Sequence, residues 1–193
     1  MKKKNNTQSQ QFYLDLKFGK YAEAIMKDWI IDFFSKKKPT SYLYNSDDEF
    51  GHLPEGERRI RLKEYDLKFD IGGKEVLFEV KADKYENTGN LVFEHTHNGK
   101  PSGVFVTKAE YFVYFFPRFI ENNVYIIKSE KLKKLLLPNE ERIWHTNHGG
   151  DQGKTVNYLI SKCDFNDEFI MAGGLIKTVE NVSIPAEFGL TRF

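Results

Sequence analysis

The chain has 193 residues, 40% of them hydrophobic and 15% aromatic, which is one domain's worth of material and enough for a single substantial core. Its 29 basic and 28 acidic residues nearly cancel, so no global field draws it to nucleic acid, and any such binding must come from local Lys and Arg patches. One cysteine, Cys163, excludes an internal disulfide and suits a reducing cytosol, and no apolar run approaches the ~20 residues of a membrane span.

Residues 1–11 are polar and basic, with Lys2, Lys3 and Lys4 at the front, and are expected to form a flexible tail. No apolar run follows them, so they do not resemble a signal peptide, and the expected location is the cytoplasm. From Gly19 to about Lys36 runs the strongest helix pattern. Tyr21, Ala22, Ile25, Met26, Trp29, Ile30, Phe33 and Phe34 recur at the spacing of one buried stripe. Lys36, Lys37, Lys38 and Pro39 end it. Glu23 sits within the edge of this stripe, nearly at the azimuth of Ile30, and a carboxylate there needs a partner. Pairing with Lys27 is one way to supply it.

Residues 39–60 read as irregular, an acid-rich stretch holding Asp47, Asp48, Glu49, Glu55 and Glu57. Arg58, Arg59 and Arg61 follow; they either contact phosphate or balance those acids, and the balancing role is preferred.

Residues 64–81 then read as a β-hairpin about a Gly72–Gly73 turn, because two adjacent glycines suit the positive φ angles of a two-residue loop. Counting outward pairs Ile71 with Lys74, Asp70 with Glu75, Phe69 with Val76, Lys68 with Leu77, Leu67 with Phe78 and Asp66 with Glu79. Opposed residues share a face at a Cβ separation of roughly 5 Å, and Lys81 joins that face by parity. Two opposed carboxylates repel, and a hard divalent cation with oxygen ligands would reconcile them. Asp70 is the rival first acid, but it lies nearer the turn and away from Lys81. A charged strand face that is simply solvated is the plain alternative.

Asp66, twelve residues, then Glu79-Val80-Lys81 after the apolar run Val76-Leu77-Phe78 resembles the PD-(D/E)xK nuclease superfamily, in particular its small phage-type members. Tyr65 stands where that pattern usually has Pro. The resemblance implies a restriction-endonuclease-like fold, an α/β (α+β) arrangement with a mixed sheet core flanked by helices, and a Mg2+-dependent (or Mn2+-dependent) deoxyribonuclease. It implies Asp66, Glu79, the Val80 carbonyl and Glu23 as metal ligands, Glu23 because such proteins often carry a Glu on the first helix, and Lys81 as the group assisting the attacking water. The alternative is a nuclease-like fold that binds DNA or a protein without cutting.

Beyond Lys81 comes a polar loop to Asn90, then strands at Leu91–His95 and Gly103–Thr107. By the same resemblance Thr107 and Lys108 become candidate phosphate contacts, although Thr107 and Glu110 also match a capping box. Tyr111–Phe116 is apolar throughout and fits a strand buried on both faces. Asn123–Lys128 gives another strand, and Ser129 is expected to cap a helix ending before Pro138.

The segment Asn147–Thr155 fails as a P-loop, since His148 stands where the first glycine is required and Val156–Ile160 reads as a strand. No nucleotide cofactor is therefore expected. His145, His148 and Cys163 are spaced too loosely for a zinc site and are assigned to a surface loop. The expected organisation is a single domain over residues 12–172 and a C-terminal loop or tail over 173–193. The expected partner is DNA, in the host cytosol if the chain is phage-encoded, and a homodimer is left open.

Overall fold

The computed structural model describes residues 4–84, 88–116, 124–137, 145–149, 153–162 and 170–172. The chain opens with helix α1 (Lys4–Ser35), then β1 (Thr40–Asn45) and two short helices, α2 (Ser46–Phe50) and α3 (Glu55–Arg61). The hairpin β2 (Leu67–Ile71) and β3 (Glu75–Ala82) follows, then β4 (Asn90–His97), β5 (Lys100–Pro101), β6 (Tyr111–Phe115) and β7 (Val124–Lys128). Helix α4 (Ser129–Leu136) and strands β8 (His145–Gly149), β9 (Thr155–Ser161) and β10 (Ile170–Ala172) complete it.

The strands form two sheets. A six-stranded mixed sheet has the order β1-β2-β3-β6-β7-β10, and a four-stranded antiparallel sheet has the order β5-β4-β9-β8. Among the described residues the only parallel pair is β3 with β6, whose connection passes through β4 and β5 in the smaller sheet. The molecule is thus mixed α/β. Strand β6 has the two-sided burial its sequence calls for: Val113 and Phe115 enter the core against α1, while Phe112 and Tyr114 enter a second core. The first core packs Ala22, Ile25, Met26, Trp29 and Ile30 onto Leu67, Phe69, Ile71 and Phe78. The second packs Leu91, Phe93, Tyr158 and Ile160 of the smaller sheet, with Leu132 and Leu136 of α4, against the opposite face.

The structure departs from the sequence-based expectations in several places. Residues 4–11, expected as a flexible tail, are helical. No Pro interrupts them, and a helix anchored by a buried stripe extends at one hydrogen bond per residue ordered. The stretch expected to be irregular holds β1, α2 and α3. Edge strand β1 buries little, and helices of 5 and 7 residues are too short to display a period. The strand expected at Gly103–Thr107 is instead a 3-10 turn over Gly103–Phe105. Gly103 has φ 53°, and a Cβ there would come within 2.9 Å of the Glu94 backbone, so the chain turns against β4 rather than extending.

Thr107–Glu110 starts no helix, and Ser129 is the first residue of α4 rather than its cap, its hydroxyl buried without a partner among the described residues. His145 and His148 lie exposed on strand β8 rather than in a loop. Cys163, residues 1–3 and residues 173–193 lie outside the described residues. Among the described residues no helix is long and apolar enough to cross a membrane.

Candidate metal centre

The hairpin register is the one its glycines dictate. Gly72 and Gly73 have φ 66° and 83°, Ile71 N–H donates to the Lys74 carbonyl at 2.9 Å, and the pairs run Asp70–Glu75, Phe69–Val76, Lys68–Leu77 and Leu67–Phe78. Two positive φ values in a two-residue loop give the right-handed twist its flanking strands need. Asp70 closes the turn by accepting from Gly73 N–H at 2.9 Å, so the rival first acid has a structural task.

At the open end the register breaks. Asp66 is not paired across from Glu79; its N–H donates to the Phe78 carbonyl at 2.9 Å, although Leu67 already pairs with Phe78. Two residues facing one is a bulge, which bends the strand and re-aims the side chain. The Asp66 carbonyl turns to β1 and α2, accepting from Ser46 N–H at 3.1 Å. Its Oδ2 accepts from Val80 N–H at 2.7 Å, where a backbone carbonyl would otherwise stand. A residue within a strand directs its N–H and C=O to the same side, so the Val80 carbonyl also faces the gap that β2 leaves.

Glu79, one residue before Val80, accepts from the Thr107 hydroxyl at 2.8 Å through Oε2. Each carboxylate therefore commits one oxygen to a protein donor. Among the described residues Asp66 Oδ1 and Glu79 Oε1 have no hydrogen bond. The electrostatics are those of two acids held together with too little positive charge. Burial, reinforced by the Glu23 charge, pushes the Asp66 carboxyl from an ordinary 3.8 up to about 7. Burial and the charge of Asp66 raise Glu79 well above the carboxylate range, against the opposing pulls of Thr107 and Lys81.

Asp66 and Glu79 are half-buried residues, not sealed in the core. Among the described residues no three His, Cys, Asp or Glu side chains converge closely enough to enclose a metal by themselves. That donor set still fits Mg2+ or Mn2+. Mg2+ commonly retains several waters and is held by one or two carboxylates together with substrate phosphate, and two uncommitted carboxylate oxygens beside a backbone carbonyl are hard donors of that kind.

Glu23 reaches the site by its charge rather than by an open carboxylate. Both its oxygens accept from Lys20 Nζ, at 3.2 and 3.0 Å, and Lys20 also closes on Asp47 of α2. Burial raises the Glu23 carboxyl, Lys20 lowers it, and Asp47 raises it again. The pairing considered from sequence, Glu23 with Lys27, is not formed; Lys27 lies over the Tyr42 ring at 4.8 Å. Lys20 and Asp47 were not singled out as site residues from sequence. The spacing of Lys20 to Glu23 is a weak helical hint, while Asp47 is one acid in an acid-rich stretch with no distinguishing mark.

Lys81 stands beside Tyr114 of β6 in the parallel ladder and acts on Glu79 through its charge. It makes no direct ion pair or hydrogen bond among the described residues. Thr107, expected as a phosphate contact, is buried at 2% exposure. Its hydroxyl lies 2.9 Å from the Glu64 carbonyl as well as beside Glu79, and Lys133 Nζ donates to its carbonyl at 2.8 Å. It supports Glu79. Lys108 is exposed and ion-paired with Glu64 at 2.7 Å, as is Arg61 at 2.8 Å, which also lies over the Phe50 ring. Arg61 thus pairs with Glu64, an acid outside the group 47–57 that it was expected to balance.

No protein-family model, no curated protein and no solved structure matches this chain.

Proposed function

We propose that this protein is a metal-dependent nuclease of the PD-(D/E)xK kind, with a restriction-endonuclease-like fold, and that it hydrolyses DNA phosphodiester bonds. The observation that supports this most is the open end of the hairpin. There the two acids of the motif are brought together, each with one oxygen uncommitted and each holding its proton far above the usual carboxylate range, with Lys81 adjacent.

In this reading Asp66 Oδ1, Glu79 Oε1 and the Val80 carbonyl would hold Mg2+ or Mn2+, which would supply neutralisation of phosphate charge and activation of water at neutral pH. The Val80 N–H and the Thr107 hydroxyl fix the two carboxylates so that their remaining oxygens stay aimed at the gap. Lys81 orients the attacking water and stabilises the charge that develops on the phosphoryl oxygens, a contribution of roughly 3 kcal/mol for one donor. The water gives up a proton to solvent as its oxygen bonds to phosphorus, the P–O bond to the leaving strand breaks, and the leaving oxygen takes up a proton from solvent.

The experiment is incubation with supercoiled plasmid, linear duplex, single strands and a four-way junction, with and without Mg2+ or Mn2+. Cleavage of at least one substrate only with metal, lost in Lys81→Ala of unchanged melting temperature, is the expected outcome. Undiminished cleavage by Lys81→Ala refutes the assignment.

A further inference from the structure

Lys20 holds an unusual place for a helix surface lysine. Its ammonium bridges two carboxylates from different elements, Glu23 of α1 and Asp47 in the first turn of α2, with both Glu23 oxygens engaged at 3.0 and 3.2 Å. The Glu23 side chain is only 14% exposed, while that of Lys20 is 46% exposed. The acid is thus held in place and the cation is the part that can leave. The Asp66 carboxyl feels Glu23 and Asp47 as repulsive charges and Lys20 as an attractive one. Three acids from three segments of the chain therefore share one field, and Lys20 is the cation set among them.

We propose, resting on the metal-centre reading above, that Lys20 is a built-in counter-ion filling the position between Glu23 and Asp47 that a second divalent cation would otherwise take, so that the site carries one metal ion. An ammonium donates hydrogen bonds to the carboxylate oxygens that would ligate a hard cation, and it supplies one positive charge in place of two. An ordinary exposed ion pair would contribute almost nothing to such a choice. What separates Lys20 from that case is that one ammonium holds both Glu23 and Asp47, so its removal leaves two carboxylates side by side with no cation between them, an arrangement that attracts a divalent ion.

The test counts Mn2+ bound at saturation from the electron paramagnetic resonance signal of the free ion, for the full chain and its variants. Wild type is expected to bind one ion and Lys20→Met two. Lys20→Met/Asp47→Asn should return to one, and Lys20→Arg, which keeps the charge, should stay at one. A single ion of unchanged affinity in Lys20→Met overturns the proposal, as does loss of binding in a Lys20→Met protein of native melting temperature. No ion in wild type but one in Lys20→Met sinks the Asp66–Glu79 centre while sustaining the role of Lys20. No ion in either sinks both.

Discussion

The β2–β3 hairpin carries a pair of acids at each end, and the two pairs behave differently. Near the turn, Asp70 faces Glu75 in register, with Asp70 bonded to Gly73 N–H and the Glu75 side chain 66% exposed. A backbone donor satisfies Asp70, and Lys68 Nζ lies 3.9 Å from the exposed Glu75 carboxylate. At the open end Asp66 and Glu79 have the same residue types and the same parity, but a bulge swings Asp66 onto Val80 N–H, and burial raises both carboxyls. Alternation along a strand places charges on a face; whether they become a site depends on how much water and positive charge the surroundings leave them.

The largest effect should come from exchanging single atoms at the two ends. Asp66→Asn is expected to lower metal-dependent cleavage by ~100-fold or more. Asp70→Asn should leave the cleavage rate within about twofold while costing ~1 kcal/mol of stability through the turn. Equal losses in a plasmid-nicking assay would erase the distinction between the two ends.

The pH dependence of folding without metal sharpens the same contrast. An acid whose pKa is raised keeps its proton in the folded chain after the unfolded chain has lost it. Stability from Asp66 is therefore full below the ordinary 3.8 and declines as pH rises to about 7. Discounted for coupling and partial exposure, the loss is ~1–2 kcal/mol, or a few degrees of melting temperature. It should shrink in Asp66→Asn, where the buried Glu79 remains, persist in Asp70→Asn and be reversed by Mn2+. A melting temperature in chelator that rises between pH 5 and pH 8 in wild type but not in Asp66→Asn would contradict the account.

Smaller effects follow outward from the site. Thr107→Val removes the hydroxyl that holds Glu79 and should weaken Mn2+ binding by ~10-fold, in line with loss of a group that orients a metal ligand, and calorimetry can measure it. Gly73→Ala, at φ 83°, should cost ~1–2 kcal/mol in urea denaturation with Mn2+ affinity unchanged.

How much of this was legible in the sequence follows from the range of each cause. The hairpin register was, because it depends on two adjacent glycines and on strand alternation. The stripe of α1 and the buried strand Tyr111–Phe115 were too, since each is a local pattern. The bulge at Asp66 was not, because it arises where β1 and α2 draw the Asp66 carbonyl to Ser46 N–H. Thr107 and Asp47 reach the site only through contacts between segments far apart in the chain, and no spacing encodes those. Burial, which raises the two carboxyls, emerges only when β6, α1 and the Thr107 segment close around β3.

The most direct measurement is calorimetric titration of Mn2+ into the metal-free chain and into Asp66→Asn/Glu79→Gln, with Asp70→Asn/Glu75→Gln as the opposite-end control. Saturable binding in wild type and in the control, lost in the first double variant while its melting temperature is retained, is the predicted result. Equal Mn2+ binding in all three proteins, or none in wild type, would contradict it.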